Sequence, residues 1–113
     1  MMKDFAMENG ILTGCNPDIV KADIPDGVTA IGKCAFAGCV SLKTVTIPNS
    51  VTSIENSVFY RCESLKSITI PNSVTSINIE AFYGCANVVI HCYKNSYAEE
   101  YAKEHYIPYK IID

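Results

Sequence analysis

Apolar and polar positions recur along this chain on a 23-residue period. Ile24-Pro25-Asp26-Gly27-Val28-Thr29-Ala30-Ile31 returns as Ile47-Pro48-Asn49-Ser50-Val51-Thr52-Ser53-Ile54 and as Ile70-Pro71-Asn72-Ser73-Val74-Thr75-Ser76-Ile77. A Phe (Phe36, Phe59, Phe82) and a Cys (Cys39, Cys62, Cys85) follow on the same spacing. Self-similarity of this length predicts a stacked solenoid, because one such unit cannot bury its apolar face alone. Within each unit, Leu42 to Ile47 and Leu65 to Ile70 alternate apolar residues with Thr, the pattern of a half-buried strand. Pro48 and Pro71 follow and end it, since proline has no N–H for a ladder. Val-Thr-x-Ile, as in Val51 to Ile54, is too brief for a helix and predicts a bend or short bridge on a second side. The segment around Phe59-Tyr60-Arg61-Cys62 predicts a helical or 3₁₀ turn on a third side, with Phe and Cys inward and Phe36, Phe59 and Phe82 stacked as a spine.

The pattern breaks at both ends, where a solenoid needs atypical coils to cover its exposed faces. Asn9-Gly10 lies between Phe5-Ala6-Met7-Glu8 and Ile11-Leu12-Thr13 and predicts a hairpin through a type I′ turn. Asn16-Pro17-Asp18 predicts a turn, and Ile19 to Ile24 an irregular first strand. At the other end Cys85 to Tyr93 predicts a last strand. Ser96 and Glu99 then form a capping box, Glu99 and Lys103 a helix-supporting pair, and Ala98, Tyr101, Ala102 and His105 one helix face. Pro108 ends that helix by about Tyr106, and Tyr109 to Ile112 predicts a closing strand.

Composition narrows the class. The chain has 113 residues, 49% hydrophobic and 19% charged, which fits a globular domain. No apolar run reaches the roughly 18 residues of a membrane helix. The segment Met1 to Glu8 lacks the apolar core of a signal peptide, so the sequence as it stands predicts a soluble, cytoplasmic protein. A net charge of −3 with scattered basic residues argues against a nucleic-acid partner. Six cysteines in so short a chain invite a disulfide framework. The repeat register instead places Cys39, Cys62 and Cys85 in one column on successive coils, as buried thiols. Cys15, Cys34 and Cys92 fall outside that column, and the sequence does not pair them.

The strand phrases Leu42-x-x-Val45-x-Ile47 and Leu65-x-x-Ile68-x-Ile70 fit a leucine-rich template. Together with Ile-Pro-x-x-Val-Thr-x-Ile and Ala-Phe-x-Gly-Cys (Ala35 to Cys39, Ala81 to Cys85), the unit resembles the BspA-like bacterial leucine-rich repeats. Phe5-x-x-Glu8-Asn9-Gly10-x-Leu12 resembles that family's N-terminal cap. Ser96-Tyr97-Ala98-Glu99-x-Tyr101-Ala102 with Ile107-Pro108-Tyr109 resembles its C-terminal cap. With both caps present, the resemblance implies a complete short array, and a right-handed solenoid used in protein or cell-surface binding. It also implies export, so a cell-surface or secreted location is the alternative to the cytoplasmic one. Ser50 and Ser73 replace the Asn or Cys of the wider leucine-rich template.

Candidate chemistry is sparse. The cysteine column is spread along a line, about 4.8 Å per coil, which suits an inert core better than the convergent ligands of a metal site. His91 and Cys92, adjacent on a strand, point to opposite faces and make no catalytic pair. No Gly-rich phosphate loop or nucleophile elbow is present. Two surfaces remain. One is the strand face, with Lys43, Thr44, Thr46, Lys66, Ser67 and Thr69; side-by-side Thr residues also simply stabilise a sheet. The other is Tyr60, Arg61 and Tyr83, whose residue types carry binding energy at interfaces, unless the rings only lie over their own turns. Tyr93, Tyr97, Tyr101, Tyr106 and Tyr109 crowd the last quarter and fit cap packing better than recognition.

The sequence thus predicts an α/β repeat solenoid: a short leucine-rich right-handed superhelix, mainly β, as one domain over 1–113. Its parts are an N-terminal hairpin cap (1–23), three repeats (24–92) and a helix-plus-strand cap (93–113). The expected role is non-enzymatic binding of a protein or surface glycan by a monomer, with no cofactor, metal, nucleic acid or membrane insertion. The alternative is a purely structural spacer or repeat unit of a larger exported protein.

Overall fold

A computed structural model describes residues 4–112. Met1 to Lys3 and Asp113, the outermost residues of the two expected caps, lie outside the described residues. The chain runs β1 (Phe5–Glu8), β2 (Ile11–Cys15), β3 (Lys21–Asp23), β4 (Ala30–Ile31), β5 (Thr44–Thr46), β6 (Ser53–Ile54), β7 (Ser67–Thr69), β8 (Ser76–Ile77), β9 (Val89–Cys92), α1 (Tyr97–Glu104) and β10 (Tyr109–Ile111). It is a mainly β solenoid with two five-stranded sheets on different sides of the coil. The first is ordered β1-β2-β4-β6-β8 and the second β3-β5-β7-β9-β10. Among the described residues all pairings are parallel except the β1–β2 hairpin.

The register follows the 23-residue period. Val45 pairs with Ile68 and Ile68 with Ile90 in one sheet, while Ile31 pairs with Ile54 and Ile54 with Ile77 in the other. The ladder of the larger strands continues one step past each strand. Ile24 N–H donates to Thr46 O, Ile47 N–H to Thr69 O and Ile70 N–H to His91 O, and proline then ends the run. Val-Thr-x-Ile forms the short bridge on the second side. Its last two residues pair from coil to coil, and Thr52 N–H donates to Thr29 O at 2.9 Å and Thr75 N–H to Thr52 O at 3.0 Å.

The third side contains no helix. Alternate amides bond back three residues or out to the next coil, as in Cys39 to Phe36 O (3.1 Å) against Phe36 to Val58 O (2.9 Å) and Gly38 to Tyr60 O (2.8 Å). Coil two repeats this with Phe59 to Ala81 O and Arg61 to Tyr83 O. A run of turns with outward amides lets this side ladder to its neighbour, which a 3₁₀ piece bonded within itself could not do.

The core is the column set the period implies. Phe36, Phe59 and Phe82 stack at 5.3 Å, with planes 15° and 13° apart. The spine extends at both ends: Phe5 meets Phe36 edge-on at 6.4 Å and Tyr101 meets Phe82 at 6.1 Å. Cys62 and Cys85 donate their thiols to Phe36 O and Phe59 O of the preceding coil, both at 3.0 Å. Cys15, which the period leaves out of the column, lies against it: its Sγ is 3.2 Å from Cys39 Sγ.

The caps form for local reasons. Asn9 (φ 53°) and Gly10 (φ 80°) both take the left-handed conformation of the type I′ hairpin. Asp18 N–H bonds the Asn16 side chain and Ile19 N–H bonds Asn16 O, closing the turn at Pro17. Ser96 Oγ accepts from Glu99 N–H at 3.1 Å. The Glu99 carboxylate reaches one residue beyond the capping box, to Asn95 N–H at 2.7 Å, and pairs with Lys103 at 3.7 Å. The helix ends before Pro108 acts. Tyr106 turns left-handed (φ 57°), Ile107 N–H bonds Ala102 O and Tyr106 N–H bonds Lys103 O, a Schellman ending.

Candidate interaction surface

The outer face of the larger sheet carries two rows. One pairs Lys21, Thr44, Ser67 and Val89, and the other Asp23, Thr46, Thr69, His91 and Lys110. Thr46 is exposed and Thr44, Ser67 and Thr69 are half-buried, while Val45 and Ile68 point into the core. Lys43 and Lys66 are exposed just before their strands. The face is small, polar and nearly flat in side-chain size, so its Thr and Ser neighbours chiefly support each other across the strands. The Lys21–Asp23 pair at 3.8 Å is exposed and contributes little.

Tyr60, Arg61 and Tyr83 lie on the third side, and the structure brings them together. Tyr60 and Tyr83, one period apart, stack at 5.4 Å with planes 25° apart. Arg61 Nε donates to Tyr60 Oη at 3.1 Å, and the guanidinium carbon lies 5.4 Å from that ring's centre. Arg61 also occupies the position held by Gly38 and Gly84 in the neighbouring coils. All three are left-handed, at φ 55°, 73° and 85°. Gly38 N–H and Arg61 N–H donate to Tyr60 O and Tyr83 O of the next coil, and an L side chain in this conformation is strained. A Cβ added at Gly84 would stand 3.0–3.1 Å from Arg61 Cγ, Cα and N, so glycine there also leaves room for Arg61.

Beside Tyr83 the array ends in a cleft of about 230 Å³ lined by Ile79, Glu80, Phe82, Tyr83, Tyr101, His105 and Ile107. Sequence reasoning missed it. Ile79 (74% exposed) is exposed because no further coil covers this side. The available signal was that Phe82 is the last of its column, with no further repeat after it to cover the side next to Ile79. Tyr101 donates its hydroxyl to Asn78 O at 2.8 Å, and His105 stacks on Tyr101 at 4.0 Å. Burial pushes the Tyr101 phenol up to about 12, so it stays a neutral donor. His91 and Cys92 do take opposite faces: His91 is half-buried on the outer row and Cys92 is fully buried. The surface as a whole offers stacked aromatic faces, one guanidinium and an apolar cleft, a set suited to binding.

Among the described residues, no helix is long and apolar enough to cross a membrane. Residues 7–103 match the family described as BspA type leucine rich repeat region (6 copies). No curated protein matches the chain. Among solved structures, a leucine-rich repeat protein from Bacteroides ovatus is similar at 26% identity and a TM-score of 0.62, over 81% of this chain and 30% of that one. A leucine rich cell surface protein from Faecalibacterium prausnitzii is similar at 25% identity and a TM-score of 0.52, over 80% of this chain and 36% of that one. The chain therefore spans about a third of the length of either structure. With the repeat register, the Phe column and the matched span in agreement, the chain belongs to the BspA-type leucine-rich repeat family.

Proposed function

We propose that this solenoid is a non-catalytic recognition module that binds a protein or a surface glycan. The observation that carries the reading is the Tyr60–Tyr83 stack with Arg61 bonded to its edge. Where the equivalent positions of the neighbouring coils hold Gly38 and Gly84, this coil holds a left-handed arginine, a strain that a binding role would offset. Stacked tyrosines present large, rigid faces at low entropic cost, and Tyr and Arg dominate binding energy at interfaces. The Thr and Ser face with Lys43 and Lys66 is the secondary surface. The likeness to a cell surface protein supports display outside the cell. We read the chain as a single monomeric unit with caps at 1–23 and 93–113 around three repeats.

The test compares two variants on a glycan array and against bacterial and host surface proteins. Tyr60→Ala/Arg61→Ala is expected to weaken the strongest hit at least tenfold, since hot-spot truncations exceed about 1.4 kcal/mol. Thr46→Lys/Thr69→Lys is expected to change it less than threefold. A hit weakened only by the threonine variant would move the site to the sheet face, and a hit indifferent to both would refute both surfaces.

A second reading is a spacer within a longer repeat protein. It is favoured by the two solved relatives, of which this chain spans only 30% and 36%.

A further inference from the structure

We propose that Cys15 and Cys39 form a thiol–disulfide exchange site, in which a low-molecular-weight disulfide oxidises the pair to a covalent staple between the N-terminal hairpin and the first coil. Cys62 and Cys85 each donate a thiol to the Phe carbonyl of the coil before them. The coil before Cys39 is the atypical hairpin, and there Cys39 Sγ meets Cys15 Sγ at 3.2 Å. Both are free thiols. A disulfide has its sulfurs about 2.05 Å apart, so closure needs roughly 1.2 Å of approach. Cys15 ends β2 and is half-buried, whereas Cys39 is 4% exposed. A small reagent therefore reaches Cys15 first and Cys39 resolves.

The steps balance. The Cys15 thiolate attacks one sulfur of the small disulfide, a mixed disulfide forms, and one thiolate leaves. The Cys39 thiolate then attacks Cys15 Sγ, the protein S–S bond forms and the second small thiolate leaves. Two electrons pass from the protein to the small disulfide, and the two protein protons end on the released thiols. Burial, Cys39, Cys62 and Asp4 all hold the Cys15 thiol above its ordinary value, so the exchange is slow at neutral pH. The bond once formed persists only in an oxidising compartment. It would tie β2, and through β2 the whole hairpin, to the repeat array.

The experiment uses the full chain, reduced and desalted, then incubated with oxidised glutathione at pH 8.5. The expected products are a species lighter by about 2 Da and, after digestion of alkylated protein, a linked Cys15–Cys39 peptide. The thermal midpoint is expected to rise by about 5–15 °C and to return on reduction. Cys15→Ser and Cys39→Ser are expected to give neither the link nor the rise. A persistent glutathione adduct on Cys15, a link that excludes either residue, no reaction within a day, or a linked protein with an unchanged or lower midpoint would each overturn the proposal. Peptide mapping of the unmodified chain decides the matter even where a serine variant fails to fold.

Discussion

The two ends of the solenoid solve the same problem by opposite means. At the N-terminal end an antiparallel hairpin adds β1 and β2 to the sheet of short strands and leaves β3 as an edge of the other. At the C-terminal end β10 extends the sheet of longer strands and leaves β8 as the edge. The open β3 edge carries exposed Lys21 and Asp23, charges that discourage pairing with another chain. The β8 edge is instead met by a side chain, Tyr97 Oη, 3.4 Å from Ile77 N. The aromatic spine ends differently too: Phe5 at the hairpin is half-buried, whereas Tyr101 on α1 is 3% exposed and hydrogen-bonded. The hairpin covers the stack lightly, and the helix locks it. A cap therefore need not imitate a coil; it must cover the last apolar column and occupy or guard one sheet edge.

The largest expected effect tests that asymmetry. Tyr101→Ala removes a buried ring and orphans Asn78 O, and is expected to cost about 3–5 kcal/mol in chemical denaturation. Phe5→Ala, at a half-buried ring, is expected to cost about 1–2 kcal/mol. Equal losses would abolish the contrast between a light and a locked cap.

Alkaline pH gives the next effect. Burial, with Cys85 and Cys39 nearby, pushes the Cys62 thiol from 9.0 up to about 12, and burial pushes Cys85 up to about 11. The folded state keeps these protons where the unfolded chain has lost them, so their stabilisation is complete below pH 9 and declines as pH rises through the folded values. Between pH 8 and 10 the fully buried Cys62 alone is expected to remove about 1 kcal/mol, read as a falling midpoint in circular dichroism. Tyr101, at about 12, extends the decline above pH 10 at the helical end. A midpoint flat from pH 8 to 11 would show these groups to be solvated.

The smallest effect lies between the ends. Arg61→Gly relieves the left-handed strain but gains chain entropy on unfolding, for a net stabilisation of about 0.5 kcal/mol. A loss of stability instead would mean that the Tyr60 contacts outweigh the strain. Binding through the tyrosine column is expected to weaken in the same variant.

The sequence was most informative where one residue type dictates one conformation. Asn9-Gly10 fixed the hairpin, Pro48 and Pro71 the strand ends, and Ser96 with Glu99 the helix start, because each constraint is local. The Phe and Cys columns were legible because a solenoid turns sequence period into spatial neighbourhood. The candidate surface was half legible: Tyr60, Arg61 and Tyr83 share the third side as their spacing implies, but the cleft beside Tyr83 did not show. It is made by what is missing, a next coil, and by Tyr101 and His105 arriving from the cap. The contact of Cys15 with the column did not show for a similar reason. It stands 24 residues before Cys39, one off the period, and only the atypical hairpin brings the two sulfurs together.

By itself, then, the chain determined its coil: period, strand register, corners, inward columns and helix cap, all set by local sterics, burial and one repeated length. Tertiary structure decided the rest. Two-residue strands such as Ser53–Ile54 have no independent stability and exist because both neighbouring coils offer backbone partners. The left-handed Arg61 is held by the hydrogen bond its N–H donates to Tyr83 O on the next coil. Which sheet each cap extends, and what the uncovered edge meets, depend on contacts between segments far apart in sequence, and no local preference encodes those.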